Sequence, residues 1–384
     1  MKQYKGYVFR LYPNMTQQEL INKGLGVSRF IYNYFLNFKK KEYEDNNKKY
    51  TCFDLIKMLP QLTIEYPFLK EVDSCLLRTS IFDLDNAFNN FYKGKGYPKF
   101  KKKGIKDSYK TNNIKSSYKG NNYNSIELDL VNRKIKLPKL GLVDIKGYRN
   151  LNNIKGNIKS AVIRKEANKY YVSVLIEEEI EIPVIKPKNI VGIDLGIKDM
   201  VVTSNGEKLD NDKMERLERL NKRLKGLQKA LSRSMKGSKN RYKLIIKIQE
   251  VYKKMNNIKK HIIIKLANTI TLENDIIVVE DLDIKEMYQN HNIAKRLVNI
   301  PLYSLIQKIK WKAYLLGKKV IEINRYYASS QECSICGSKE KQVKDLSIRK
   351  WECKKCHNLH DRDINASINI MFEGLRIYLK ESHS

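Results

Sequence analysis

Four cysteines near the end of the chain constrain its fold more than any other feature of the sequence. They form two Cys-x2-Cys pairs separated by sixteen residues, and each pair can hold a metal on a tight turn. Four thiolates fill a tetrahedral shell, which predicts a structural zinc ribbon with one Zn²⁺ and no open position for catalysis. Disulfides are the alternative, but they are rare in intracellular proteins. The predicted ligands are Cys333, Cys336, Cys353 and Cys356.

The charge of the chain indicates a polyanionic partner. Lys and Arg number 75 and Asp and Glu number 42 among 384 residues, which leaves a formal net charge of +33. So large a charge opposes compaction unless a polyanion shares the space, and nucleic acid is the expected one. A membrane is disfavoured because no run of about 18 apolar residues occurs, and the first residues lack the apolar core of a signal peptide.

The first half of the chain combines helical and β-type patterns. Residues 4–11 alternate like a strand, and Thr16 followed by Glu19 predicts the capped start of a helix. A second helix is predicted over 72–92. Residues 124–180 alternate or run β-branched between Asn and Gly turns, and with the first strand they are predicted to close a small barrel.

A basic run connects these helical and β-type segments. Residues 93–119 hold ten Lys against one Asp, with aromatic residues between them. Lysines can contact phosphates while aromatic rings stack on unpaired bases, so the run favours contact with nucleic acid. A mobile solvated loop is the alternative. The predicted contacts are Tyr97, Lys99, Phe100, Lys101, Lys102 and Lys103.

From residue 189 onward the sequence changes to buried strands and long helices. Apolar residues at helical spacing over 213–231, and again as far as 262, predict an antiparallel helical hairpin. Residues 213–265 hold 18 basic and 3 acidic residues. We therefore expect the outer face of the hairpin to contact a polyanion, with an ordinary solvated helical pair as the alternative.

Three segments each place an acid at the end of an element. Asp194 follows VGI, Glu280 follows IIVV, and Asp363 precedes the last helix. A single acid in such a place more often caps a turn or a helix. Three at corresponding ends, in the order strand, hairpin, helices, strand, helix, strand and helix, are typical of an RNase H-like domain. Such a trio can hold two Mg²⁺ about 4 Å apart for phosphodiester hydrolysis.

Several motifs resemble those of TnpB, an insertion-sequence transposon protein related to type V CRISPR effectors. Its three RuvC motifs are similar to VGIDLGIKD, IIVVEDL and HDRDINASINI, and its zinc ribbon to the two cysteine pairs. VFRLYPNMTQQELINKGLGVSRFIYN extends the likeness to nearly the whole chain. The resemblance implies an RNA-guided endonuclease that cuts double-stranded DNA beside a short flanking motif, after the guide has paired with one strand.

The fold that the resemblance implies is α+β and multidomain. An RNase H-like (RuvC) nuclease domain with a zinc-ribbon insert follows a β-barrel, or wedge, which carries a helical recognition insert. The implied segments are 1–12 and 111–185 for the barrel, 13–110 for the recognition module, 186–328 and 360–384 for the nuclease domain with its helical hairpin at 211–266, and 329–359 for the ribbon.

The resemblance also implies the catalytic residues. The acids that match the family's motifs, and that would bind two catalytic Mg²⁺, are Asp194, Glu280 and Asp363, with Asp361 as the rival for the third place. Arg349 matches a recurrent arginine of the family and is a candidate contact of the scissile phosphate. A solvated arginine of the ribbon is the alternative.

The implied partners are a transposon-derived guide RNA and target double-stranded DNA, and no membrane. Tyr50 and Arg78 are candidates by position for contacts with the flanking duplex. A companion transposase encoded nearby is a further candidate partner, and we expect a cytoplasmic, nucleoid-associated protein of a bacterium or archaeon. Two other classes stay open: a guided DNA-binding repressor that does not cut, and a transposase that joins DNA strands without RNA.

Overall fold

A computed structural model describes residues 1–104, 107–118, 121–147, 154–196, 199–209, 214–283, 287, 289, 301–345 and 347–382. The contacts within the chain divide it into two units, Met1–Ile180 and Glu181–Ser384. Within the described residues, no helix combines the length and the apolar character that a bilayer crossing requires.

Unit 1, Met1–Ile180, combines a large antiparallel sheet with four α-helices among its described residues. Its strands are β1 (Lys2–Tyr12), β2 (Asp107–Asn112), β3 (Lys115–Tyr118), β4 (Asn121–Asn124), β5 (Glu127–Asp129), β6 (Lys134–Leu137), β7 (Gly141–Lys146), β8 (Asn157–Glu166) and β9 (Lys169–Glu179). Its helices are α1 (Met15–Asn46), α2 (Cys52–Lys57), α3 (Leu59–Glu65) and α4 (Ser74–Tyr92), with a 3-10 helix at Pro67–Glu71.

The sheet of unit 1 has seven strands in the order β2-β8-β9-β1-β7-β6-β5, and β3 and β4 form a separate hairpin. The first strand of the chain lies at its centre, and β8 and β9 pair along most of their length. Within the described residues no pairing joins β2 to β5, so the sheet is open there and the predicted closed barrel is not confirmed.

Helix α1 begins two residues earlier than the Thr16–Glu19 pattern predicted. Asn14 has extended backbone angles, and its side chain accepts a hydrogen bond of 2.8 Å from the backbone N–H of Gln17. The Gln17 side chain accepts one of 3.1 Å from the Asn14 N–H in return. The capping box is therefore Asn14–Gln17, because an amide side chain satisfies the helix N-terminus as well as the expected hydroxyl and carboxylate do.

Unit 2, Glu181–Ser384, is built on a five-stranded mixed sheet. Its strands are β10 (Ile190–Asp194), β11 (Val201–Thr203), β12 (Lys208–Leu209), β13 (Ile276–Glu280) and β14 (Lys319–Ile323), followed by the small pair β15 (Lys350–Glu352) and β16 (Leu359–Asp361). The helices whose bounds lie within the described residues are α5 (Met214–Arg233), α6 (Lys239–Glu273), α7 (Leu302–Leu315) and α8 (Arg362–Ser382), with a 3-10 helix at Lys341–Lys344.

The order of the mixed sheet is β12-β11-β10-β13-β14, with β10, β13 and β14 parallel and the other pairs antiparallel. Helices cover both faces. Ile277 and Val279 of β13 face a core shared with α5, α6 and α7, whereas Ile276 and Val278 face a core shared with α8. A strand that is buried on both sides reads as a continuous apolar run, which is why IIVV was recognisable in the sequence.

Candidate active site and zinc centre

Asp194 and Glu280 end two neighbouring parallel strands. Strands β10 and β13 are in register up to the pair Ile193 and Val279, so the next residue of each strand is one of the two acids. Both carboxylates therefore emerge at the carboxyl edge of the sheet, where open α/β sheets bind their ligands. Both side chains are partly buried.

Two glycines let α8 approach this sheet closely. A Cβ added to Gly192 of β10 would lie 2.0 Å from the carbonyl oxygen of Ser367, and one added to Gly374 would lie 2.3 Å from a methyl carbon of Val278. Real Cβ contacts are never so short, so both positions require glycine. The close fit brings the first turn of α8, which carries Asp363, to the acids of the strands.

The carboxylates influence one another electrostatically. Burial, and then the negative charges of Glu280 and Asp363, raise the pKa of Asp194 to about 7. Burial also raises the pKa of Glu280, and a hydrogen bond from Ser329 offsets part of that rise. The Ser329 hydroxyl lies 2.5 Å from Glu280 Oε1. Shifts of this kind cluster at functional sites.

Asp361, the rival for the third acid, has structural partners instead. One of its oxygens accepts hydrogen bonds from the backbone N–H groups of Asp363 and Ile364 and caps α8, at 3.2 and 3.3 Å. The other accepts a 2.7 Å contact from Lys208. Burial acts to raise the pKa of Asp361, but the Lys208 hydrogen bond and the helix amides bring it below the usual value.

Two further acids beside Glu280 are also occupied. Asp281 and Asp283 both pair with Arg325, and the Arg325 Nη1 to Asp283 distance is 3.2 Å. These two carboxylates are therefore held by a neighbouring guanidinium.

Arg349 contacts Asp363 directly. Its Nη1 donates to both carboxylate oxygens, at 3.1 and 3.0 Å, and 45% of the Arg349 side chain remains exposed. A guanidinium that neutralises one of three neighbouring carboxylates reduces their repulsion.

The four predicted zinc ligands converge. The sulfur atoms of Cys333, Cys336, Cys353 and Cys356 all lie within 4.8 Å of one another, and in the described part of the chain they are the one group of three or more Cys, His, Asp or Glu side chains that does so. Among the described residues, Asp194, Glu280 and Asp363 do not form such a group. His360 Nε2 lies 3.1 Å from the Cys333 sulfur and its ring stacks on Trp351 with 4.6 Å between ring centroids.

The basic run is partly anchored to unit 1. The side chain of Asn33 on α1 exchanges two hydrogen bonds with the backbone of Lys101, at 2.8 and 3.0 Å. The Lys101 ammonium lies 4.2 Å from the ring centroid of Tyr32 and 3.4 Å from Asp83. Lys101 is therefore already engaged by α1 and α4, which makes it the weakest of the predicted phosphate contacts. Residues 105–106 and 119 of the run lie outside the described residues.

The other predicted contacts of the run are accessible. Tyr97 is 45% exposed and packs edge-on against Phe88 and Phe91, while Phe100 is 51% exposed. The exposed lysines of the run are Lys99, Lys102 and Lys103.

The two candidates for duplex contacts differ in accessibility. Arg78 is exposed on α4. Tyr50 is half-buried, since its ring packs on Phe38 and its hydroxyl donates to Glu42 at 3.0 Å. Arg78 is the more accessible of the two.

The helical hairpin of unit 2 consists of α5 and α6. Leu217 and Leu224 are buried in the seam, as their spacing predicted, and residues 211–213 at its predicted start lie outside the described residues. With the apolar residues turned inward, the exposed residues of α5 include the basic side chains Arg216, Arg219, Lys222, Arg223, Lys225 and Lys229.

Three family models match parts of the chain. They are described as "Cas12f1-like, TNB domain" for residues 303–370, "Probable transposase" for 172–291 and "Helix-turn-helix domain" for 1–48. Residues 1–48, all of them described, form strand β1 and the single helix α1 rather than two helices joined by a turn.

Curated relatives match nearly the whole chain. A Streptomyces pristinaespiralis protein named "Putative RNA-guided DNA endonuclease" is 30% identical over 98% of this chain and 90% of its own length. The chain belongs to the TnpB family of RNA-guided endonucleases. A second relative, InsQ of Escherichia coli K12, with the same description, is 26% identical over 97% of this chain and 93% of its own length.

A solved structure shows that this TnpB-family chain shares an effector fold. The cryo-EM structure of a Cas12f1–sgRNA–target DNA complex superposes with a TM-score of 0.55 at 12% identity, over 97% of this chain and 98% of that one. The α+β character of the prediction is confirmed. Sequence patterns did not predict Ser329, which donates to Glu280, nor the two asparagines of the last motif that are buried on α8, Asn365 and Asn369.

Proposed function

We propose that the protein is a transposon-encoded, RNA-guided endonuclease that cuts double-stranded DNA beside a short flanking motif at a single RuvC site. The observation that carries the proposal is the convergence of Asp194, Glu280 and Asp363 beside one edge of a mixed sheet, in a chain of net charge +33. The names of the relatives that match nearly the whole chain refer to the same activity.

The three acids would hold two Mg²⁺ ions. Carboxylate oxygens are the ligands that this hard cation prefers. Burial, and then repulsion by Glu280 and Asp363, raise the pKa of Asp194, and a divalent cation would relieve that repulsion. When bound, the ions would activate the attacking water and stabilise the leaving oxygen of the phosphodiester. The donor set therefore fits the proposed cofactor.

Arg349 would exchange the carboxylate of Asp363 for a phosphate of the DNA when DNA binds. Its guanidinium is paired with Asp363, and the same fork of donors binds a phosphate equally well. If Asp363 held a cation, Arg349 would be free to hold the scissile phosphate. Asp361 would keep α8 capped throughout, since its partners are Lys208 and the helix amides.

The four cysteines would hold one structural Zn²⁺, since thiolates at this spacing fill a tetrahedral shell. Guide RNA would lie on the cationic face of α5 and α6 and on the exposed lysines and rings near residue 100, because backbone contacts suffice when base pairing reads the sequence. A companion transposase is proposed as the partner in transposition, and the nucleoid as the site of action.

The deciding experiment purifies the protein with its own transcript and challenges a plasmid library with randomised flanks in Mg²⁺. We expect wild type to cut beside one flanking motif, and Asp194→Ala, Glu280→Ala and Asp363→Asn to lose at least about a thousandfold in rate while still binding the target. Asp361→Asn should keep cutting with little change in stability, because Asn caps a helix about as well as Asp does and the main loss is the partly exposed ion pair with Lys208.

Asp281→Asn is the matched control, because it removes a carboxylate next to Glu280 that is paired with Arg325. It should cut like wild type. Equal cutting by wild type and Asp194→Ala would refute the site. Guided binding without any cutting would favour a repressor, and strand joining without RNA would favour a transposase.

A further inference from the structure

Two buried asparagines on α8 fix the segment that leads into the first cysteine pair. Asn365 is 1% exposed and Asn369 is 5% exposed, and their spacing of four places them on one face of the helix. Asn365 donates to the Glu332 carbonyl at 2.7 Å and accepts from the Ser334 N–H at 2.9 Å. Asn369 donates to the carbonyls of Glu332 at 2.6 Å and Ser329 at 2.8 Å.

Ser329 connects Asn369 to the carboxylate of Glu280 through hydrogen bonds. Its side chain is buried, its carbonyl is held by Asn369, and its hydroxyl donates to Glu280 Oε1. The orientation of one proposed cation ligand is therefore determined by a residue that α8 holds in place. Hydrogen bonds to a ligating carboxylate of this kind orient it for the metal.

The ribbon therefore contacts two of the three acids. Ser329 precedes the first cysteine pair and holds Glu280, and Arg349 precedes the second pair and holds Asp363. Cys333 and Cys336 lie between these two contacts in the chain, and Cys353 and Cys356 follow the second contact. A zinc ion bound by all four cysteines would join the segment that follows Ser329 to the segment that follows Arg349.

We propose that Ser329 and Asn369 are positioning residues for Glu280, and that with Asn365 they couple the zinc ribbon to the cation-binding carboxylates. This inference rests on the proposed role of Glu280 as a Mg²⁺ ligand. Ser329 and Asn369 touch neither cation nor DNA in this scheme. They act through the orientation of Glu280, so their loss weakens cation binding more than it weakens nucleic-acid binding.

The test compares Ser329→Ala and Asn369→Ala with wild type as protein–RNA complexes. We expect the Mg²⁺ concentration at half-maximal cleavage to rise about tenfold in each variant, with guide and target binding unchanged and one zinc per chain retained. In the double variant this Mg²⁺ concentration should rise no further than in the more affected single variant, because both residues act through the orientation of Glu280. Ser329→Thr keeps the hydroxyl and should restore the wild-type midpoint.

The control is Ser304→Ala, which removes an exposed hydroxyl on α7. Binding of Mn²⁺, followed by electron paramagnetic resonance, supplies a readout that needs no cleavage. An unchanged Mn²⁺ affinity in folded Ser329→Ala would overturn the inference. If instead no cleavage occurs but Ser329→Ala weakens Mn²⁺ binding as Glu280→Gln does, the positioning role stands and the proposed nuclease function fails.

Discussion

At the scale of single residues, Asp194 makes stability depend on pH. Its folded pKa of about 7 exceeds an unfolded value near 4, so the folded state favours the protonated form. Without Mg²⁺, this contribution to stability is present below about pH 4 and is lost as the pH rises to about 7, by a few kcal/mol at most. We expect Asp194→Asn, which stays neutral, to exceed wild type in Tm by several degrees at pH 8 and by much less at pH 5.

The measurement is thermal unfolding of both proteins in Mg²⁺-free buffer with the zinc retained. Asp281→Asn is the control, because Asp281 pairs with the exposed Arg325, and its Tm difference from wild type should not grow with pH in this way. Adding Mg²⁺ at pH 8 should raise the Tm of wild type more than that of Asp194→Asn. A difference between wild type and Asp194→Asn that is constant from pH 5 to pH 8 would contradict the assignment.

At the scale of elements, the contact between β10 and α8 leaves no room for a side chain at residue 192. A methyl group at residue 192 would meet backbone atoms, the Ser367 oxygen at 2.0 Å and the Met371 nitrogen at 2.5 Å. Backbone atoms cannot move aside as the end of a flexible side chain can. Gly192→Ala must therefore displace α8. We expect a loss of about 1–3 kcal/mol in stability and of about a hundredfold in cleavage rate, because Asp363 moves away from Asp194.

Gly226→Ala provides the matched control, since Gly226 lies on α5 with nothing within 4 Å of an added Cβ. It should leave cleavage unchanged and raise stability by up to about 1 kcal/mol, as expected for an exposed helical glycine. Cleavage rates and chemical unfolding measure the two effects separately. Cleavage at the wild-type rate by Gly192→Ala would show that α8 does not set the position of Asp363.

The sequence predicted those parts of the site that local patterns encode. Asp194 and Glu280 end apolar strands whose burial on both faces leaves a continuous hydrophobic run, and the cysteine spacing defines its own cluster. Ser329 gave no signal, because its partner Glu280 is 49 residues away. Lys101 was predicted as a phosphate contact. The residues that bind it instead, Asn33 and Tyr32, lie about 70 residues away in the sequence, so no local pattern could indicate them.

At the scale of the whole molecule, the charge of +33 predicts that guide RNA binding depends steeply on salt. Each phosphate contact releases a counterion, so the slope of log affinity against log salt is about −0.7 per contact on a single strand. Replacing the exposed Lys222, Lys225 and Lys229 of α5 by Gln should reduce the magnitude of that slope by about 2.

A control variant with the same change in net charge separates local contact from the general field of the molecule. Lys23, Lys136 and Lys319 are each paired with a carboxylate, from Glu71, Glu127 and Glu381. Replacing these three by Gln should alter the slope much less, because a lysine already paired with an acid contacts fewer phosphates and so displaces fewer counterions from the RNA. Equal slopes in the two triple variants would mean that the charge attracts RNA as a diffuse field, and the cationic face of the hairpin would then lose its proposed role as an RNA contact.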